Sequence, residues 1–167
     1  MRRTRGDPVA RTTSSSHSTS VGCGRLQSRP TSGGAVGTVV RIPFEVTAWE
    51  PEPLDLGEPG PVGFGRVTLR KTFSGPLTGS SVVAMTSATV GEAPAGYVAV
   101  ELVTGTLEGR SGTFVLQHSG VVDGGDSRAT GVVLPGTGTG ALAGLRGDVE
   151  LTHDDSGAVL TLDYELS

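Results

Sequence analysis

Three side chains in the body of this chain could move protons together: Tyr97, Glu101 and His118, with Lys71 and Tyr164 as further candidates facing the same interior. Glu101 lies in "GYVAVELVT" and His118 ends "TFVLQH", two alternating runs separated by a single glycine-bearing corner. If the two runs form a hairpin with Leu116 opposite Glu101, then Tyr97, Ala99, Glu101, Phe114 and His118 share one face. A carboxylate and an imidazole held in a dry interior form an acid–base pair with displaced pKa values. A slip of one residue turns Glu101 to the opposite face. In that arrangement Glu101 is solvated and His118 only ends a strand. Nothing in the sequence fixes the register, so both arrangements stand at this point. The interior ligand-binding candidates are Tyr97, Glu101, Phe114 and His118. No G-x-S-x-G elbow, H-E-x-x-H helix or Cys/His cluster is present, so no catalytic residue, metal site or cofactor is assigned.

The elements that would carry these side chains are strands. Alternation with period two recurs in "FEVTAW", "RVTLRKTF", "SSVVAMTS", "GYVAVELVT", "TFVLQH", "ATGVVLP", "DVELTH" and "VLTLDYEL". No interval between them has room for a convincing helix, which excludes parallel strands joined by helical crossovers. An antiparallel meander of about eight strands is therefore expected, curled into a closed all-β barrel whose interior is filled by side chains or holds one small ligand. "EPEPLDLGEPGPVGFG", Glu50–Gly65, carries four prolines and reads as the one long irregular segment, either a lid or a mobile insertion.

A repeat punctuates the meander. "GTLEGRSGTFVLQH" (Gly105–His118) returns as "GALAGLRGDVELTH" (Gly140–His153), and G-x-L-x-G appears a third time as "GPLTG" (Gly75–Gly79). A phosphate loop would need a strand, a glycine turn and then a true helix. Here, between Gly140 and Gly147, only one or two helical turns fit, and no Lys-Ser/Thr pair follows. The copies read instead as corners, with each leucine tucked into an end of the barrel and glycines where positive φ is cheap. The match of His118 with His153 then follows from equivalent strands.

Composition limits the partners. The 167 residues include 27 glycines and 10 prolines, with 4% aromatic residues and a formal net charge of −4. Residues 1–40 hold six arginines and a single acid, leaving seven basic against sixteen acidic side chains from residue 41 onward. An acidic body repels nucleic acid, and the basic head has no aromatic residue for stacking on bases. No apolar run is long enough to cross a membrane. Residues 1–40 are expected to be a disordered Arg/Ser/Thr/Gly-rich tail and residues 41–167 the barrel domain. "MRRTR" resembles a signal-peptide start without an apolar stretch behind it, so export is not expected. Cys23, the only cysteine, has no partner for a disulfide, which suits a cytoplasmic protein.

From Phe44 to Leu166 the strings "FEVTAWE", "RVTLRKTFSGPLTGSS", "GYVAVELVTGTLEGRSGTFVLQHSGVVDGG", "VVLPGTGTGALAGLRGDVEL" and "LTLDYEL" resemble the bacterial family catalogued as domain of unknown function 3224. The resemblance implies an allene-oxide-cyclase-like closed barrel and transfers no catalytic residue, because the family has no established activity. A shared barrel does not transfer function. Three functions are therefore carried forward. The first is a barrel that binds a small apolar or amphipathic molecule. The second is an isomerase or cyclase acting by confining its substrate. The third is a solid barrel serving self-association as a homo-oligomer.

Overall fold

The computed structural model describes residues 37–57, 60–123, 126–154 and 157–167, so the expected tail at residues 1–40 lies almost wholly outside the described residues. Eight strands follow in order: β1 Thr38–Pro53, β2 Val62–Phe73, β3 Leu77–Val90, β4 Ala93–Leu107, β5 Arg110–Asp123, β6 Asp126–Val133, β7 Arg146–Asp154 and β8 Gly157–Glu165. Each pairs antiparallel with the next, and β8 returns to pair with β1 from Thr38↔Tyr164 to Phe44↔Ala158, so the strands form a ring. All eight expected runs are strands. The only helical turn among the described residues is the short 3-10 segment Gly140–Leu142, within the interval too small for a phosphate-binding helix.

Antiparallel order puts the β2–β3, β4–β5 and β6–β7 connections at one end of the ring, and the three G-x-L-x-G copies lie there. Leu77, Leu107 and Leu142 are all fully buried and belong to one apolar cluster with Ile42, Phe114 and Leu162. Burying each such side chain contributes about 1.5–3 kcal/mol. The three copies share this end without sharing a turn geometry. Leu77 opens β3, Leu107 closes β4, and Leu142 sits in the 3-10 turn. The glycines have a packing reason. Leu77 pairs with Leu107 and Gly79 with Gly105, because the first two copies run antiparallel against each other. A Cβ on Gly105 would fall inside contact distance of the Thr78 carbonyl oxygen and 3.2 Å from the Gly79 Cα. Backbone atoms cannot swing aside, so Gly105→Ala is expected to destabilise the fold by about 1–3 kcal/mol in urea unfolding. A loss well under that range would show that the corner has slack.

Two readings of the sequence are corrected. The irregular segment is shorter than Glu50–Gly65: Glu50–Pro53 continue β1 against Thr68–Gly65, and Val62–Gly65 belong to β2, leaving Leu54–Gly57, Gly60 and Pro61 as the described residues outside the strands. The prolines are tolerated because β1 loses β8 after Phe44 and has a strand on one side only, where a missing N–H costs no ladder bond. The alternation of "FEVTAW" also breaks. A bulge between Val46 and Ala48 brings Trp49 opposite Leu69, so Trp49 rather than Ala48 turns toward the interior.

Candidate functional site

The end opposite the leucine corners is not filled. A cavity of about 680 Å³ opens there, walled by apolar side chains that include Phe44, Leu69, Val83, Met85, Val122 and Leu151. Polar groups gather at its floor, where Lys71, Tyr97 and His118 come together, while Trp49, Thr152 and His153 stand nearer the mouth.

Strand register places the floor. Glu101 pairs with Leu116 and Ala99 with His118, the register that puts Tyr97, Ala99, Glu101, Phe114 and His118 on one inner face. The outer face of β4 is Val98, Val100 and Leu102, all exposed, while the carboxylate of Glu101 has 0% exposure. Across the β4–β5 ladder Tyr97 faces Gly120, and a Cβ there would collide with the tyrosine ring. Gly131 of β6 stands likewise beside His118. The first glycine thus admits the tyrosine ring, and the second lets β6 lie close against the β5 backbone at His118.

A buried carboxylate survives only if its lone pairs are filled. Glu101 accepts from Ser81 Oγ at 2.5 Å on Oε1, and from Lys71 Nζ at 2.8 Å and His118 Nε2 at 3.1 Å on Oε2. The Lys71 ammonium also lies 4.7 Å from the centre of the Phe44 ring, on its π face. Tyr97 OH is 3.1 Å from His118 Nδ1, and the two rings meet edge to face. Burial pushes the Glu101 carboxyl up, but the His118 hydrogen bond, the charge and hydrogen bond of Lys71 and the Ser81 hydroxyl outweigh it and hold it at about 2. Burial, then the Glu101 charge, raises Tyr97 above its usual phenol value, so Tyr97 keeps its proton. With Glu101 ionised, His118 must donate through Nε2, and in the neutral imidazole Nδ1 accepts from Tyr97. The chain Tyr97–His118–Glu101 is therefore a connected proton path that ends on a charge-balanced Glu101–Lys71 pair.

The sequence candidates separate. Tyr97 and His118 line the cavity, Glu101 lies directly behind them, and Lys71 joins the floor. Phe114 faces inward too, but its side chain sits in the leucine-end core rather than on the cavity wall. Tyr164 is also buried, and its hydroxyl donates to Glu108 at the leucine end; burial and then Glu108 raise its pKa. His153 lines the mouth and meets Phe44 edge to face without joining the floor network. Ser81 was not anticipated, although its place two residues before Val83 and four before Met85 puts it on their face. Among the described residues no group of three His, Cys, Asp or Glu side chains could hold a metal ion, and no helix is long and apolar enough to cross a membrane.

Comparison with known proteins agrees with the fold. The model of the family described as "Protein of unknown function (DUF3224)" matches residues 40–166. The chain belongs to this family. A crystal structure of another DUF3224 protein of unknown function, from Shewanella oneidensis MR-1, is similar at 36% identity and a TM-score of 0.72, covering 78% of this chain and 98% of that one. No curated protein matches. The DUF3224 resemblance seen in the strand strings is thus shown, and it brings an architecture without an activity.

Proposed function

We propose that this DUF3224 protein binds a small apolar or amphipathic molecule inside the ring, with the molecule's polar end on Tyr97, Lys71 and His118 and its apolar part against Leu69, Val83 and Met85. The observation that carries the reading is the cavity of about 680 Å³, apolar in its walls and polar at one end. That size and polarity suit a small-molecule site. In the same reading the ring is a closed barrel of the allene-oxide-cyclase-like type over residues 41–167, joined by Thr38–Val40 at the start of β1. The β1–β8 pairing supports closure. The cytoplasmic setting is kept as part of the proposal, since a lone cysteine suits a reducing compartment. A solid interior serving self-association was the competing reading, and the cavity weighs against its premise.

The isomerase or cyclase alternative is favoured by one feature, the Tyr97–His118–Glu101 path, which could pass a proton to or from a confined substrate. Once a ligand is known, Glu101→Gln and His118→Ala separate the two. Unchanged turnover in both variants would remove their catalytic roles.

Native mass spectrometry of the purified protein, before and after organic extraction, tests binding itself. The expected result is a defined small-molecule adduct that extraction removes. Ser87, half-buried on the cavity wall, offers the control. Ser87→Trp places bulk where there is space, so the adduct should disappear while the melting temperature holds. An adduct that persists in Ser87→Trp would place it outside the cavity.

A further inference from the structure

The floor has one donor group in reserve. An ammonium carries three N–H donors. Lys71 gives one to Glu101, leans on Phe44 and lines the cavity, which leaves N–H donors for a bound group. Tyr97 is less committed than it looks. Beside neutral His118 its single proton points at Nδ1, and the phenol oxygen presents lone pairs to the cavity. Beside doubly protonated His118 both ring nitrogens donate, Nε2 to Glu101 and Nδ1 to the Tyr97 oxygen, and the phenol proton is released to point into the cavity. One proton on His118 therefore reverses what the floor offers, from a donor beside an acceptor to two donors side by side.

We propose that this floor takes the carboxylate end of an apolar acid, and that binding the acid draws one proton onto His118. The proposal rests on the cavity reading above and names its ligand class. Two physical reasons support it. With neutral His118 the Glu101–Lys71 pair sums to zero, so an incoming carboxylate would leave a net negative charge in a poorly solvated site. A proton taken from solvent by His118 restores the balance. The same proton also removes the lone-pair repulsion between the Tyr97 oxygen and the carboxylate, and replaces it with a charge-assisted hydrogen bond. Tyr97 has a proton to give because its phenol resists ionisation.

Among the described residues the groups that face His118 are few. Glu101 and Tyr97 from β4 bond to it directly, while Lys71 from β2 and Ser81 from β3 reach it through Glu101. β6 presents Gly131, which has no side chain, and His153 from β7 is the second imidazole on the cavity. His153 is therefore the control.

Isothermal titration calorimetry with dodecanoate and with dodecan-1-ol, each in two buffers of different ionisation enthalpy, tests the proposal. Between about pH 5 and 8, where imidazoles titrate, wild-type protein should bind dodecanoate at least about tenfold more tightly than the alcohol. Proton uptake on binding the acid should approach one at its maximum. His118→Gln should abolish the uptake and the preference, and His153→Gln should keep both. If His118→Gln does not fold, Tyr97→Phe reads the donor side: dodecanoate should lose its advantage over the alcohol. Equal binding of acid and alcohol, or acid binding without uptake, would overturn the carboxylate proposal and leave the cavity reading standing. Uptake that persists in His118→Gln would put the proton on the ligand's own carboxyl and also overturn it. Binding of neither amphiphile would overturn the cavity reading and this proposal with it.

Discussion

Lys71→Met is expected to cost about 3–5 kcal/mol of folding stability, because it strands the fully buried Glu101 carboxylate without its cation. Methionine fills a similar volume, so lost packing is a minor part of that figure. The double variant Lys71→Met/Glu101→Gln separates charge from packing. It removes both charges, and the glutamine can still bond to Ser81 and His118. Replacing a buried ion pair by neutral side chains of similar size is often close to neutral, so the double variant should lie within about 1 kcal/mol of wild type. Urea unfolding at about pH 8, where an imidazole is ordinarily neutral, is the appropriate measurement. A single variant that loses less than about 1 kcal/mol would mean that Glu101 finds water or another cation, and that the floor is wetter than its burial indicates.

The same pair shows what the sequence could and could not reveal. Strand number and antiparallel order were legible because alternation and glycine–proline punctuation act locally. Lys71 was legible as an inward residue, since it shares its phase with Val67, Leu69 and Phe73. The inward face of β4 was not. Hydrophobicity alone favours Val98, Val100 and Leu102 as the buried set, whereas the structure buries Ala99, Glu101 and Val103. The reason is non-local: Glu101 goes inside because Lys71, Ser81 and His118 arrive from three other strands to satisfy it. Such partners cannot be paired from one sequence until register is known. The bulge after Val46 was hidden for a similar reason, since an extra residue in one strand shows only against its neighbour. By contrast, the glycines of G-x-L-x-G were visible from the start. Their purpose emerged only when Gly79 was found opposite Gly105.

Acid should weaken the fold through the floor in a defined window. The Glu101 carboxyl is held at about 2 in the folded protein against an ordinary value of 4.5. A lowered folded-state pKa means that the unfolded chain binds the proton first as pH falls. The stabilisation is therefore complete above about pH 4.5 and is lost progressively toward pH 2, to a total of about 3 kcal/mol. Exposed carboxylates titrate in the same window and would blur a single curve, so the difference from Lys71→Met/Glu101→Gln is the useful quantity. That variant lacks the buried carboxyl and keeps the surface ones. Its stability relative to wild type should rise by about 3 kcal/mol between pH 4.5 and pH 2, leaving the double variant the more stable protein at the acid end. Parallel curves for the two proteins would show that Glu101 titrates alike folded and unfolded. The ion pair at the floor of the cavity would then contribute no net stability, and its place there would have to be explained by what it does for a ligand.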